Sequence, residues 1–274
     1  MFKSRHFFDR LFRVITMIKE ISSKENRIFK ECQKLSQKKY RDREGLYLVE
    51  GENLLAETPS EQIHYIVSKK GKESLVPPAL KTQQIYVMDE RLFDKIAQTE
   101  TSQGIMAVIE KQTYSAEELG SLCGAGTNLV VLDRLQDPGN IGTILRTAEG
   151  AGYAAAVIVK GTGDVYSPKT IRSAAGSVFR IPIIHVEDNR ELRKLVDSLG
   201  KRLTVTCFDT DNDYFDVDLS KDTALVIGNE GNGVSLELIE MADIKVKIPM
   251  KGRLESLNAS VAAGILMYEA ARHK

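Results

Sequence analysis

Apolar positions along this chain alternate between helical and extended spacing, and the alternation changes character near its middle. Between Glu25 and Tyr40, Ile28, Phe29, Cys32 and Leu35 recur at helical intervals among charges, which predicts one amphipathic helix. The runs LYLVEG (46–51), IHYIVSKK (63–70), QIYVMDE (84–90) and GIMAVIEK (104–111) predict strands. A short helix opens over Asn53 to Ala56. This set describes a small α/β domain over residues 24–111. The segment YSAEELGSLCGAGT (114–127), with its Gly and Ser, predicts a linker over 112–127.

From residue 128 onward the alternation is cleaner. Strands are expected at Leu129–Leu132, Ala156–Val159, Ile181–Val186, Leu203–Cys207, Leu225–Ile227 and Ile244–Ile248. Helices are expected at Ile141–Glu149, Pro168–Ala175, Arg190–Leu199, Leu236–Met241 and Leu257–Ala271. Continuous apolar strands alternating with helices imply a mostly parallel sheet covered on both faces. In such a sheet a ligand site is expected at the carboxyl ends of the strands. No internal repeat or low-complexity segment interrupts the pattern.

Charge alters the picture through its distribution. The 274 residues carry 38 Lys/Arg and 38 Asp/Glu, so net charge says nothing for a polyanionic partner. Residues 1–45, however, hold 13 Lys/Arg against 6 Asp/Glu, so the remainder is acidic by the same margin. A basic end of this kind suits phosphate contact, and a solvated helix face is its ordinary alternative. Lys38, Lys39, Arg41 and Arg43 beside Tyr40 form a mixture suited to phosphate contact and base stacking, and equally an amphipathic helix ending in a basic turn. Residues 1–15, MFKSRHFFDRLFRVI, are basic, aromatic and amphipathic. An organellar presequence, a mobile arm and an upstream translation start before Met17 all fit them, and residues 1–23 are read as an extension without catalytic work. No apolar run reaches membrane-span length. Three scattered cysteines (32, 123, 207) and four histidines without ligand spacing argue against a disulfide framework and against a metal site; cytoplasm is the default compartment.

The glycine-rich LVIGNEGNGVS (225–235) is neither a dinucleotide fingerprint nor a Walker loop. Asp209, Asp211 and Asp213 suggest a calcium loop until Tyr214 and Ser220 occupy the positions that need Gly and Glu. Two other stretches share the glycine-rich segment's character. LDRLQDPGNIGTILRTAEGAG (132–152) is a strand, a turn and a helix bearing Arg146. IPMKGRLESLNASVAAGILMYEA (248–270) runs from a strand end through a polar turn into a helix of small residues. In ordinary structural terms Asn140 is a helix cap, Arg146 a solvated charge, and Glu230, Ser256 and Asn258 caps of free amides.

Together these three blocks resemble the motifs of the SpoU/TrmH family of RNA ribose 2′-O-methyltransferases, within the SPOUT superfamily. The residues 39–55 and 101–111 resemble the substrate-binding domain that many members carry. The resemblance implies a C-terminal SPOUT-type domain over residues 128–274 with a deep trefoil knot, and a homodimer with the final helix near the interface. It implies S-adenosylmethionine as methyl donor, cradled by Ile227, Gly228, Asn229, Gly231, Ile248, Met250, Ser256 and Leu257. It assigns catalytic parts to Asn140, Arg146, Glu230, Ser256 and Asn258, and an RNA-facing position to Arg172. A guanidinium stays protonated in proteins, so Arg146 is expected to bind the phosphate beside the target ribose and lower the hydroxyl's pKa electrostatically. Asn140 and Glu230 would orient the ribose and the arginine. Large-subunit ribosomal RNA is the expected substrate. Transfer RNA, an antibiotic-resistance methylation of the ribosome, and an RNA-binding protein without catalysis are the alternatives.

Overall fold

The computed structural model describes residues 18–272, which divide into two compact units between Lys111 and Gln112. The proposed presequence, arm or upstream start at residues 1–15 lies outside the described residues.

The first unit is a mixed sheet with helices. Strands β1 (Ile18–Ile21), β2 (Leu46–Glu50), β3 (Ile63–Lys69), β4 (Ile85–Met88) and β5 (Ile105–Glu110) lie in the order β1-β4-β3-β5-β2. β1, β4 and β3 run parallel, and β5 is antiparallel to both its neighbours. Strand β1 corrects the sequence expectation: residues 18–21 are an edge strand, so the extension does not reach residue 23. Ile21 drops into a core with Phe29, Cys32, Leu35 and Phe93, while Lys19 and Glu20 stay outside and mask the pattern.

The single helix expected over Glu25 to Tyr40 is two, α1 (Arg27–Leu35) and α2 (Lys38–Glu44). Asn26 caps α1 by accepting from the Ile28 amide at 2.8 Å. The break falls at Gln37, whose backbone is extended. Helices α3 (Glu52–Glu57) and α4 (Glu90–Phe93) complete the unit.

The second unit starts earlier than expected. The stretch read as a linker contains helix α5 (Ala116–Leu122), opened by a reciprocal capping box between Ser115 and Glu118. Cys123 packs in this unit's core with Leu129, Val157 and Val226, so the stretch is part of the domain. Strands β6 (Leu129–Leu132), β7 (Ala155–Val159), β8 (Ile183–Val186), β9 (Arg202–Thr206), β10 (Thr223–Ile227) and β11 (Ile244–Val246) form one sheet in the order β11-β9-β10-β6-β7-β8. Every pairing in it is parallel. The connecting helices are α6 (Pro138–Gly150), α7 (Pro168–Ala174), α8 (Asn189–Ser198), α9 (Leu236–Met241) and α10 (Ala259–Ala271).

Two close approaches explain small residues here. A Cβ on Gly142 of α6 would stand 2.5 Å from the Thr170 carbonyl oxygen and the Ser173 Cβ of α7, so only glycine lets these helices pack this tightly. α10 packs on α6 and buries Ala263, Leu266, Met267 and Ala270. Val261 and Tyr268 remain exposed on its other side.

Candidate active site

The three motif blocks meet at the carboxyl end of the parallel sheet. After β10, the loop Gly228–Val234 doubles back on itself. Asn229 and Gly233 exchange backbone hydrogen bonds at 3.0 and 2.9 Å, and Gly233 takes φ +67°. A Cβ on Gly228 would lie 2.2 Å from the Gly233 carbonyl carbon and the Val234 nitrogen, which no side chain tolerates. The Asn229 side chain serves this loop: its Oδ1 accepts from the Gly231 and Asn232 amides, and its Nδ2 donates to the Arg134 carbonyl at 2.8 Å.

Against this loop lies a cavity of about 580 Å3, within the ~300–1,000 Å3 common for small-molecule sites. All eight residues expected to cradle a donor line it: Ile227, Gly228, Asn229, Gly231, Ile248, Met250, Ser256 and Leu257. Sequence reasoning missed a further part of the lining, Thr206 to Asp209 at the end of β9. β9 is the parallel neighbour of β10, and the rule placing sites at the carboxyl ends of such strands would have found it. Phe208 there is 71% exposed.

Beside the cavity a chain of side-chain hydrogen bonds ties the motifs together. The Glu230 carboxylate accepts from the Gln136 amide (3.1 Å), the Asp137 amide (3.0 Å) and Asn140 Nδ2 (3.1 Å). Asn140 Oδ1 accepts from Asn258 Nδ2 at 3.0 Å. Asn258 Oδ1 in turn caps α10, accepting from the Ser260 and Val261 amides. Partial desolvation alone would raise the Glu230 carboxyl, but the hydrogen bonds from Gln136, Asn140 and Asp137 outweigh it and hold the group below the ordinary carboxylate range. Asp137 caps α6 through the Asn140 amide, which lowers its carboxyl likewise.

Of the five expected catalytic residues, Glu230, Ser256 and Asn258 line the cavity, and Asn140 joins them through these bonds. Arg146 does not line it. It lies six residues beyond Asn140 on α6, about 9 Å along the axis, exposed and without a hydrogen bond or ion pair to other described residues. Ser256 is exposed, and its hydroxyl bonds to none of the described residues. Among the described residues no cluster of His, Cys, Asp and Glu fits a metal, and no helix is long and apolar enough to cross a membrane.

The RNA-facing expectations divide. Arg43 pairs with Glu44 and lies 4.9 Å from the Tyr40 ring centroid; Lys38 pairs with Asp42; Lys39 and Arg172 are exposed. Arg41 is a correction. It is only 5% exposed, and its guanidinium donates to the Leu35 carbonyl at 2.7 Å, closing the α1–α2 junction instead of facing solvent.

Residues 127–268, carrying the whole of this site, match the model of the SpoU rRNA Methylase family. The chain belongs to that family. Residues 26–107 match the MRM3-like substrate binding domain, which gives this SpoU methylase the expected two-part organisation. It is similar to the 23S rRNA (guanosine(2553)-2′-O)-methyltransferase RlmP of Bacillus subtilis, 37% identical over 257 residues, covering 92% of this chain and 98% of that one. Among solved structures it resembles the AdoMet-bound rRNA methyltransferase of Sinorhizobium meliloti, with TM-score 0.81, 32% identity, and 94% and 98% of the two chains covered. It also resembles the SpoU methyltransferase AviRb of Streptomyces viridochromogenes in complex with AdoMet, with TM-score 0.81, 29% identity, and coverage of 91% and 98%. The SPOUT-type α/β fold expected from the motifs is thus shared with these structures.

Proposed function

We propose that this protein methylates a ribose 2′-hydroxyl of large-subunit ribosomal RNA with S-adenosylmethionine as donor, in the cytoplasm. The observation that carries the proposal is the Glu230–Asn140–Asn258 chain standing against a cavity lined by the two other motif turns. The cavity fits the donor in size. Its loop folds so tightly at Gly228 that main chain forms the wall, which lets amides and carbonyls read an adenine without a charged side chain.

When bound, the donor supplies an activated methyl group. Main chain around Ile227, Gly228, Ile248 and Leu257 would hold it, and apolar Met250 would help keep water out. Glu230 accepts three hydrogen bonds that hold its carboxyl low, which makes it a weak base and suits it to buttressing the Asn140 amide. Asn258 and the unengaged Ser256 hydroxyl face the cavity and can orient the ribose. Arg146 has no intramolecular partner among the described residues and is open to the phosphate beside the target nucleotide, where its charge stabilises a developing alkoxide. Lys38, Lys39 and Arg43 in the first domain, with Arg172 in the second, supply further phosphate contacts.

The trefoil knot and the homodimer belong to this proposal. β11 is the edge strand beside β9, yet the helix that follows it packs on α6, which follows β6. Residues 247–258 must therefore cross the ends of β9 and β10, the path that threading requires. Val261 and Tyr268, exposed on α10, suit a partner subunit.

Mapping ribose methylations in total RNA with and without the gene tests the function. One 2′-O-methyl group should vanish from large-subunit ribosomal RNA. Loss from transfer RNA alone would reassign the substrate. No loss, together with no heat of S-adenosylmethionine binding in calorimetry, would leave an RNA-binding protein without catalysis.

A further inference from the structure

We propose that Arg134, outside the five catalytic positions, is a positioning residue that clamps both ends of the donor-binding loop; this rests on the donor assignment above. Arg134 is one of only three described non-glycine residues with positive φ, at +58°, a conformation that L side chains adopt reluctantly. Its neighbours hold it there. Its amide donates to Thr162 Oγ1 at 3.0 Å, and its side chain lies close enough to Gly161 that a Cβ there would stand 3.2 Å from Arg134 Cγ.

Hydrogen bonds at both ends of the loop give the strain a purpose. The Arg134 carbonyl accepts Asn229 Nδ2 at 2.8 Å, fixing the start of the loop. Its guanidinium forks onto Asp133, donating from Nε at 3.0 Å and Nη2 at 3.3 Å. The Asp133 side chain is 1% exposed, and its Oδ2 accepts the Ser235 amide at 2.8 Å, fixing the end of the loop. Glycine would satisfy φ +58° with less strain. It would, however, leave the buried Asp133 carboxylate, and through it Ser235, without the neutralising cation. The arginine therefore serves the loop, not the local turn. Its guanidinium is partly exposed, so the charge can be altered without opening the core.

The test compares wild type, Arg134→Gly and Arg134→Lys by calorimetric titration with S-adenosylmethionine, thermal melting, and steady-state methylation of ribosomal RNA. Arg134→Gly is expected to raise the donor Kd and donor KM about tenfold with kcat at saturating donor little changed, and to lower the melting temperature because Asp133 loses its cation. Amide hydrogen exchange should quicken over residues 229–235. Arg134→Lys, which keeps the charge without the fork, should fall between. Wild-type donor affinity in Arg134→Gly overturns the proposal. So does weaker RNA binding with donor affinity intact, which would make Arg134 an RNA contact. Absence of donor binding by the wild type would instead sink the functional assignment, so the two failures are separable.

Discussion

Replacing Gly228 with alanine puts the folding of the donor loop to a direct test. The new methyl would sit 2.2 Å from the Gly233 carbonyl carbon and the Val234 nitrogen and 2.6 Å from the Gly233 oxygen, all backbone atoms that cannot rotate aside. The loop must open, which breaks the paired Asn229–Gly233 hydrogen bonds at a cost of ~1 kcal/mol each. Residual overpacking adds ~1–3 kcal/mol. In a domain of this size each kcal/mol lowers Tm by roughly 2–4 °C, so a fall on the order of 10 °C is expected. The same movement shifts the cavity wall, so S-adenosylmethionine should no longer raise the melting temperature as a ligand of the native state does. Thermal melting with and without saturating donor reads both effects. A Gly228→Ala protein with wild-type melting temperature and wild-type donor stabilisation would refute the assignment of this loop.

Arg146→Ala should leave the melting temperature unchanged and donor affinity within about twofold, because Arg146 is exposed, does not line the cavity and makes no hydrogen bond or ion pair with another described residue. Turnover on ribosomal RNA should fall ~10²–10³-fold, and strong residual activity would remove it from the site. Arg41→Ala should destabilise the first domain by ~1–3 kcal/mol by leaving the Leu35 carbonyl unpaired. Lys39→Glu should instead weaken RNA binding and flatten its salt dependence without changing melting temperature; the reverse pattern in filter binding and melting would contradict this division. The lowered Glu230 carboxyl gives a pH signature. A folded-state pKa below the unfolded one contributes stability above the unfolded value and loses it as pH falls through the folded value, below the ordinary carboxylate range. Glu230→Gln should therefore melt below wild type at pH 7, and the gap should close as pH falls below the ordinary carboxylate range; a constant gap across that fall would exclude the linkage.

Much of the second domain was legible because its strands are buried on both faces. Leu129–Leu132 and Leu236–Met241 fall where the apolar pattern set them, and Leu225–Ile227 is extended by two residues. The first domain was harder, since its signals are short or ambiguous. β1 offers four residues with two charges in the middle, and it is defined by pairing with β4, which no local pattern displays. The split at Gln37 has neither Gly nor Pro to mark it. α5 did carry a signal, Ser115 three residues before Glu118, but Gly120 and Ser121 drew attention to a linker. Arg41 shows the limit of charge runs: it resembles its basic neighbours in sequence, and only the packing of two helices reveals that it faces inward. At the site, the eight residues expected to hold the donor do line the cavity, and the motifs pointed to them. The clamp from Asp133 and Arg134 was not legible, because it depends on two loops about 95 residues apart meeting at the ends of the paired strands β6 and β10.

The hydrogen-bond chain at the site has a direction, and its direction ties the three motifs into one device. A carboxylate accepts only, so Glu230 forces Asn140 to present its Nδ2 and therefore to turn Oδ1 toward Asn258. Asn258 must then donate with Nδ2, which leaves Oδ1 as the acceptor that caps α10. In an isolated loop each amide could turn either end toward its neighbour; here the Glu230 carboxylate at one end of the chain and the α10 backbone amides at the other fix both. The low Glu230 carboxyl is part of the same logic, because a protonated carboxyl would donate and allow Asn140 to reverse. The chain also couples folding to catalysis: the turn before α6, the donor loop and the start of the final helix reach their working orientation together. Arg146 rides on α6, whose first turn this chain anchors, so the cation expected at the acceptor phosphate is positioned by the same residues that frame the donor cavity.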